Sequence, residues 1–175
     1  MALTTLPALL LFLAEGQSGY DVRILFQSTP IGLFSDSPGV IYPALARLER
    51  QGLLRGEAQA SARKRRIFRR TEAGEAALDL WLRAPIDQQV VARRPQEIEL
   101  RYVLIAIRLG GGAARPFLVE AARAYQARIA ELEAFRDANR AMGPISIDAL
   151  GLGIDLFRTR LEWCRSTLLS WEKRE

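Results

Sequence analysis

Histidine is absent from this 175-residue chain, and cysteine occurs once, at Cys164. The first absence removes the commonest metal ligand; the second excludes an intrachain disulfide framework and any multi-cysteine zinc site. No metal or other cofactor is expected, and a reducing cytoplasm is the natural compartment. Long apolar runs are also missing, so with nowhere about 18 uninterrupted apolar residues a membrane span is not expected. The short run from Leu6 to Leu13 has no Lys or Arg before it and ends at Glu15, so it reads as a buried first helix and not as a signal-peptide core. Catalytic groupings are lacking as well. There is no nucleophile–base arrangement, and Gly110-Gly111-Gly112 has neither a strand before it nor a P-loop Lys after it, which leaves it a hinge. The chain is not expected to be an enzyme.

What is present is an apolar fraction of 49%, enough for a packed core, and a formal charge of +5. The charge is unevenly placed. Between Arg47 and Arg70 nine basic residues face only Glu49 and Glu57, a local net of +7, whereas from Gln96 onward 12 basic and 11 acidic residues nearly cancel. The first segment suits a polyanion; the second reads as a solvated helical surface.

Punctuation along the chain predicts the elements. Leu6, Leu9, Leu10 and Leu13 form a helical stripe that stops at Gly16. Ser18 and Asp21 have capping-box spacing and open a second helix over 19–28. Ser37-Pro38 reads as N-cap and first residue of a third helix ending near Gly52, in which Ile41, Ala44, Leu45 and Leu48 face inward. Gly39, Tyr42, Pro43, Ala46, Arg47 and Arg50 face outward. Pro43 is costly there, by roughly 3 kcal/mol in a regular helix interior. Segments 53–58 and 65–70 flank a small-residue and basic stretch and read as a hairpin. Thr71 caps a fourth helix with Ala73, Ala76, Ala77, Leu80 and Ala84 on one face. Helix–helix–helix–hairpin is the winged-helix order.

The expected organisation is a mainly α chain: a winged helix-turn-helix over 1–85 with a two-stranded wing, a linker over 86–95, and antiparallel helices over 96–175 forming a dimerisation domain. Those helices are expected at 96–109, 116–141 and 147–172. Leu118, Ala122, Tyr125, Ile129 and Leu132 share heptad spacing, as do Leu150, Ile154, Phe157, Leu161, Cys164, Leu168 and Trp171. Leu152, Leu156 and Trp163 add apolar surface beside that seam. Dimerisation is therefore expected through Leu150, Ile154, Phe157, Leu161 and Leu168, and Trp163 and Trp171 are candidates for an effector pocket. Cys164, set in the seam, is expected to be inert.

The stretch Ser37-Pro38-Gly39-Val40-Ile41-Tyr42-Pro43-Ala44-Leu45, followed by Arg47-Leu48-Glu49 and Gln51-Gly52-Leu53, resembles the recognition helix of PadR-family transcriptional regulators. Gly16 with Gly19-Tyr20, and Arg66-Ile67-Phe68-Arg69-Arg70-Thr71-Glu72-Ala73-Gly74, are similar to the family's first turn and its second wing strand. Arg70 stands where the family commonly has an aliphatic residue. The resemblance covers residues 3 to 83 and implies a third helix in the major groove with a basic wing alongside. Carried over, the DNA-contacting positions are Ser37, Pro38, Gly39, Tyr42 and Arg47, with Arg63, Lys64, Arg65 and Arg66 in the wing. The implied function is a homodimeric repressor of a pseudo-palindromic operator in double-stranded DNA, relieved by a small aromatic or hydrophobic effector or another signal. The alternative is a winged-helix protein–protein interaction module, which an acidic or apolar recognition face would favour.

Overall fold

The computed structural model describes residues 3–28, 37–58 and 66–172. The chain divides into two compact units, Met1–Ala84 and Pro85–Glu175.

The first unit contains α1 (Thr5–Leu13), α2 (Gly19–Ser28), α3 (Pro38–Arg50), β1 (Leu54–Ala58), β2 (Arg66–Arg70) and α4 (Glu72–Arg83). This is the winged-helix order. β1 and β2 pair antiparallel, with Leu54 opposite Arg70 and Ala58 opposite Arg66. The turn between α1 and α2 adds a short third rung: Gly16 N–H donates to Phe68 C=O at 2.9 Å, and Phe68 N–H donates to Gln17 C=O at 2.9 Å. Gly16 makes that turn in the left-handed region, φ +71°. The capping box forms as expected, Ser18 N–H donating to Asp21 Oδ2 at 2.9 Å and Asp21 N–H to Ser18 Oγ at 3.3 Å.

The end of α3 is a Schellman motif. Gly52 (φ +69°) donates to Glu49 C=O, and Leu53 N–H donates to Leu48 C=O, both at 2.9 Å. α4 docks directly on this turn. Thr71 Oγ1 donates to Gly52 C=O at 2.6 Å and accepts from Gly74 N–H at 3.0 Å. Gly74 lies so near Leu53 that a Cβ there would sit 2.0 Å from the Leu53 carbonyl oxygen. This contact sets the rotation of α4 and corrects its expected inner face. Gly74, Leu78, Trp81 and Leu82 are buried, while Leu80 is 73% exposed. An alanine-rich helix offers similar apolar surface on both sides, and the glycine decides between them.

The second unit contains α5 (Gln88–Arg93), α6 (Gln96–Leu109), α7 (Gly111–Ala138) and α8 (Pro144–Glu172). The stretch expected as a linker thus holds a helix: Asp87 Oδ1 caps it by accepting from Gln89 N–H at 2.7 Å, and Ile86, Val90 and Val91 are buried. Gly110 turns at φ +79° between α6 and α7, so α7 starts before Pro116 and not at it. Pro144 takes the first helical position of α8. Leu118, Tyr125 and Ile129 of α7 and Ile154, Phe157, Leu161 and Cys164 of α8 are buried in this unit's own core. The heptad seam therefore joins α7 to α8 within one chain. Ile154, Phe157 and Leu161, expected at a dimer interface, are spent on intramolecular packing, and Leu150 and Leu168 are half-buried. Heptad spacing identifies a seam without saying which helix fills it. Among the described residues no helix is long and apolar enough to cross a membrane.

Candidate nucleic-acid interface

α3 is held by its inner stripe: Ile41, Leu45 and Leu48 are buried. That fixes what points outward. Gly39, Tyr42, Pro43, Arg47 and Arg50 are exposed as read from the sequence, Ala46 of that face is half-buried, and Pro38 and Val40 are exposed as well. Ser37 caps the helix, its Oγ accepting from Gly39 N–H at 3.2 Å. Pro43 sits within an unbroken helix on its solvent side, so its missing N–H falls on the outer face.

Tyr42 is positioned by a residue on another element. A Cβ at Gly19, the first residue of α2, would lie 2.7 Å from Tyr42 Cε1. The phenol ring therefore rests on bare backbone while the residue stays 42% exposed. On α2, the Arg23 guanidinium stands over the Tyr20 ring, 5.4 Å from its centroid.

The arginines of the basic segment divide into two groups. Arg70 is structural: its Nη1 donates to Leu11 C=O at 3.0 Å and Phe12 C=O at 3.1 Å, and its Nε donates to Glu75 Oε1 at 2.7 Å. A cation satisfying the last carbonyls of α1 is the favourable sign for a helix C-terminus. Arg69 pairs with Glu15 at 3.2 Å and Arg55 with Glu57 at 2.6 Å. Arg66 pairs with Glu49 and, through Nη2, donates to Gly56 C=O at 3.4 Å. Arg47 and Arg50 form no ion pair with any described residue. Arg63, Lys64 and Arg65 lie outside the described residues.

Residues 9–80 match the family described as Transcriptional regulator PadR-like. The first unit is similar to that family over most of its length. Transcriptional regulator Rv3488 of Mycobacterium tuberculosis is 54% identical over 43 residues, a match that spans 24% of this chain and 40% of that protein. Over whole chains, the structure of the PadR-like transcriptional regulator BC1756 from Bacillus cereus aligns at 22% identity, covering 97% of this chain and 99% of its own, with a TM-score of 0.43. Bacillus subtilis PadR in complex with operator DNA aligns at 21% identity over 95% of this chain and 99% of its own, with a TM-score of 0.40.

The first unit also places two carboxylates that the sequence pattern does not single out. Glu15 accepts from the Arg70 backbone N–H at 2.8 Å as well as from Arg69, and Glu49 accepts from the Gly56 N–H at 3.1 Å. The available signal is charge balance, since arginines packed so closely need counter-charges, Glu49 from within the run and Glu15 from outside it.

In the second unit the two tryptophans meet the same tyrosine. Trp171 Nε1 donates to Tyr102 Oη at 2.9 Å, and Trp163 stacks edge-on to Tyr102 with centroids 5.3 Å apart. A Cβ at Gly111 would lie 2.6 Å from the Trp171 ring. These rings close on the protein itself. A groove of about 460 Å³ opens elsewhere, lined by Ala122, Arg123, Gln126, Ala127, Ala130, Leu161 and Arg165, and neither tryptophan lines it. Deeper in, Glu99 Oε1 accepts from Tyr125 Oη at 3.1 Å and Arg160 Nε at 3.0 Å. Burial raises the Glu99 carboxyl above its ordinary range despite Arg160, and burial beside Glu99 also raises the Tyr125 phenol. Burial pushes the Cys164 thiol up to about 12, which keeps it an unreactive thiol. Among the described residues no group of His, Cys, Asp or Glu is placed to hold a metal ion.

Proposed function

We propose that this chain is a sequence-specific double-stranded-DNA-binding transcriptional regulator, a cytoplasmic homodimeric repressor whose operator occupancy is relieved by a small aromatic or hydrophobic effector or another signal. One observation carries the DNA reading: among the described residues Arg47 and Arg50, on the outer face of α3, have no ion-pair partner, while Arg55, Arg66, Arg69 and Arg70 are held by carboxylates. Exposed cations on a helix that also presents its N-terminus suit a phosphate backbone and a base edge. Arg47 is assigned to the O6/N7 edge of guanine, and Ser37, Pro38, Gly39 and Tyr42 to the backbone. Arg63, Lys64 and Arg65 are assigned to the phosphates flanking the groove.

A homodimer would present two α3 helices to successive major grooves about 34 Å apart. Self-association is supported by Ile145, Ala149, Leu152 and Leu156, a heptad row on α8 in which Ile145 is 83% and Leu152 is 63% exposed. Trp163 and Trp171 pack on Tyr102 and are not assigned to the effector.

Fluorescence anisotropy of labelled duplexes from the chain's own upstream region, at several salt concentrations, tests the proposal. Salt-sensitive binding that Arg47→Ala weakens by about 1–3 kcal/mol is expected. Binding no tighter than to random duplex overturns it, and a DNA-bound dimer that fails to block transcription in vitro removes the repressor assignment.

A further inference from the structure

Glu49 puts a negative charge on the last turn of α3, where the helix dipole disfavours it and where it stands between Arg47 and Arg50 on the helix proposed to approach phosphate. Something must offset that. Its Oε1 accepts from the Gly56 N–H of β1 at 3.1 Å and from Arg66 Nη2 of β2. Arg66 Nη2 also reaches Gly56 C=O at 3.4 Å, which closes a ring through three elements. Glycine leaves room for this ring: a Cβ at Gly56 would lie 2.7 Å from Arg66 Nη2, so a larger residue there would make the guanidinium shift. Charge-assisted bonds to a planar fork are geometrically demanding, and here they join α3 to both strands of the hairpin.

We propose that Glu49 is a positioning residue for DNA binding: through Gly56 and Arg66 it fixes the β1–β2 hairpin against α3, and Arg66 serves as a strut and not as a phosphate ligand. Helix and hairpin then reach the duplex at one spacing, with no ordering left to be done on binding. The inference rests on the DNA-binding reading above.

The two roles of Glu49 predict opposite signs. By charge alone, removing a carboxylate beside DNA tightens binding; removing a strut loosens it. With full-length protein and the upstream duplex, Glu49→Ala is expected to weaken binding about tenfold at every salt concentration. Glu49→Gln keeps the Oε1 acceptor and is expected to restore near wild-type affinity, which a pure charge effect does not do. Arg66→Ala is expected to weaken binding with an unchanged slope of log K against log salt, whereas loss of a phosphate ligand lowers that slope by about one. The double variant Glu49→Ala/Arg66→Ala should bind no more weakly than either single one. If Glu49→Ala does not fold, Arg66→Lys, which keeps the charge and loses the fork, reads the same strut and should weaken binding at constant slope. Glu49→Ala binding as tightly as wild type or tighter, or an Arg66 variant that flattens the slope, overturns the strut while leaving the DNA reading intact. Wild type that prefers no duplex overturns both.

Discussion

The two units use their most enclosed arginines differently. In the first, Arg70 satisfies the carbonyls that end α1, other arginines lie at the surface, paired as in Arg69–Glu15 and Arg55–Glu57 or without an ion pair to any described residue as in Arg47 and Arg50, and backbone fits define the structure: Gly74 on Leu53, Gly19 under Tyr42, Gly56 under Arg66. In the second, Arg101 and Glu97 are themselves buried, and the Arg101 guanidinium lies 4.9 Å from the centroid of the Phe117 ring. Burial lowers the affinity of Arg101 for its proton, and the charges of Glu97 and Glu120 oppose that. The difference follows from the kinds of contact available. Short elements joined by tight turns are specified by which backbone can approach which. Long helices with apolar seams slide past one another at little cost, and a buried polar contact that is satisfied in only one register is the best-attested way to stop them.

That contrast breaks first at Arg101. Arg101→Ala removes a buried cation from beside buried Glu97, which keeps Arg94 at 3.4 Å, and empties the space over the Phe117 ring, so it is expected to destabilise the second unit by about 3–5 kcal/mol. Amide exchange should accelerate across α6 and α7 while α3 and β1 keep their protection. Equal loss in residues 37–58 would mean that the units melt as one body and that the comparison fails. Gly74→Ala is the converse test. Its Cβ meets backbone and not the end of a flexible side chain, so α4 must lift from the α3–β1 turn, at a cost near the upper end for overpacking, about 3 kcal/mol. Urea denaturation should place this loss in the first unit alone, and a variant as stable as wild type would show that the close approach is dispensable.

The same contrast decides what was legible in the sequence. Ser18/Asp21, Ser37-Pro38, Gly52 and Thr71 are local signals read within a turn of where they act, and they place α2, α3, the hairpin and α4 correctly. The exposed face of α3, including Tyr42 and Arg47, followed from Ile41, Leu45 and Leu48 in the same way. What was illegible is non-local. Nothing near Arg70 in the sequence says that it will satisfy Leu11 and Phe12, 59 and 58 residues away, or that Glu49 will hold Arg66. Likewise the heptads at Ile154, Phe157 and Leu161 are real, and within the chain they are buried beside α7, as where Phe157 meets Tyr125. α5 was missed although Asp87 caps it, because the short helix buries only Val90 and Val91 and falls between two prolines.

The smallest expected effect sharpens the comparison through pH. Glu99 accepts from Tyr125 and Arg160, and burial outweighs both in raising its carboxyl from the ordinary 4.5. A carboxyl raised by folding binds its proton more tightly folded than unfolded. Its contribution to stability is therefore full below pH 4.5 and is lost as the pH rises through the folded value. Glu99→Gln keeps an oxygen for Tyr125 and Arg160 but removes the ionisation. Between pH 4.5 and neutrality the wild-type second unit should lose more stability than the variant does, read by amide exchange in α6 with residues 37–58 as internal reference. Parallel curves for the two proteins would mean that the Arg160 guanidinium fully offsets the desolvation of this half-buried carboxylate.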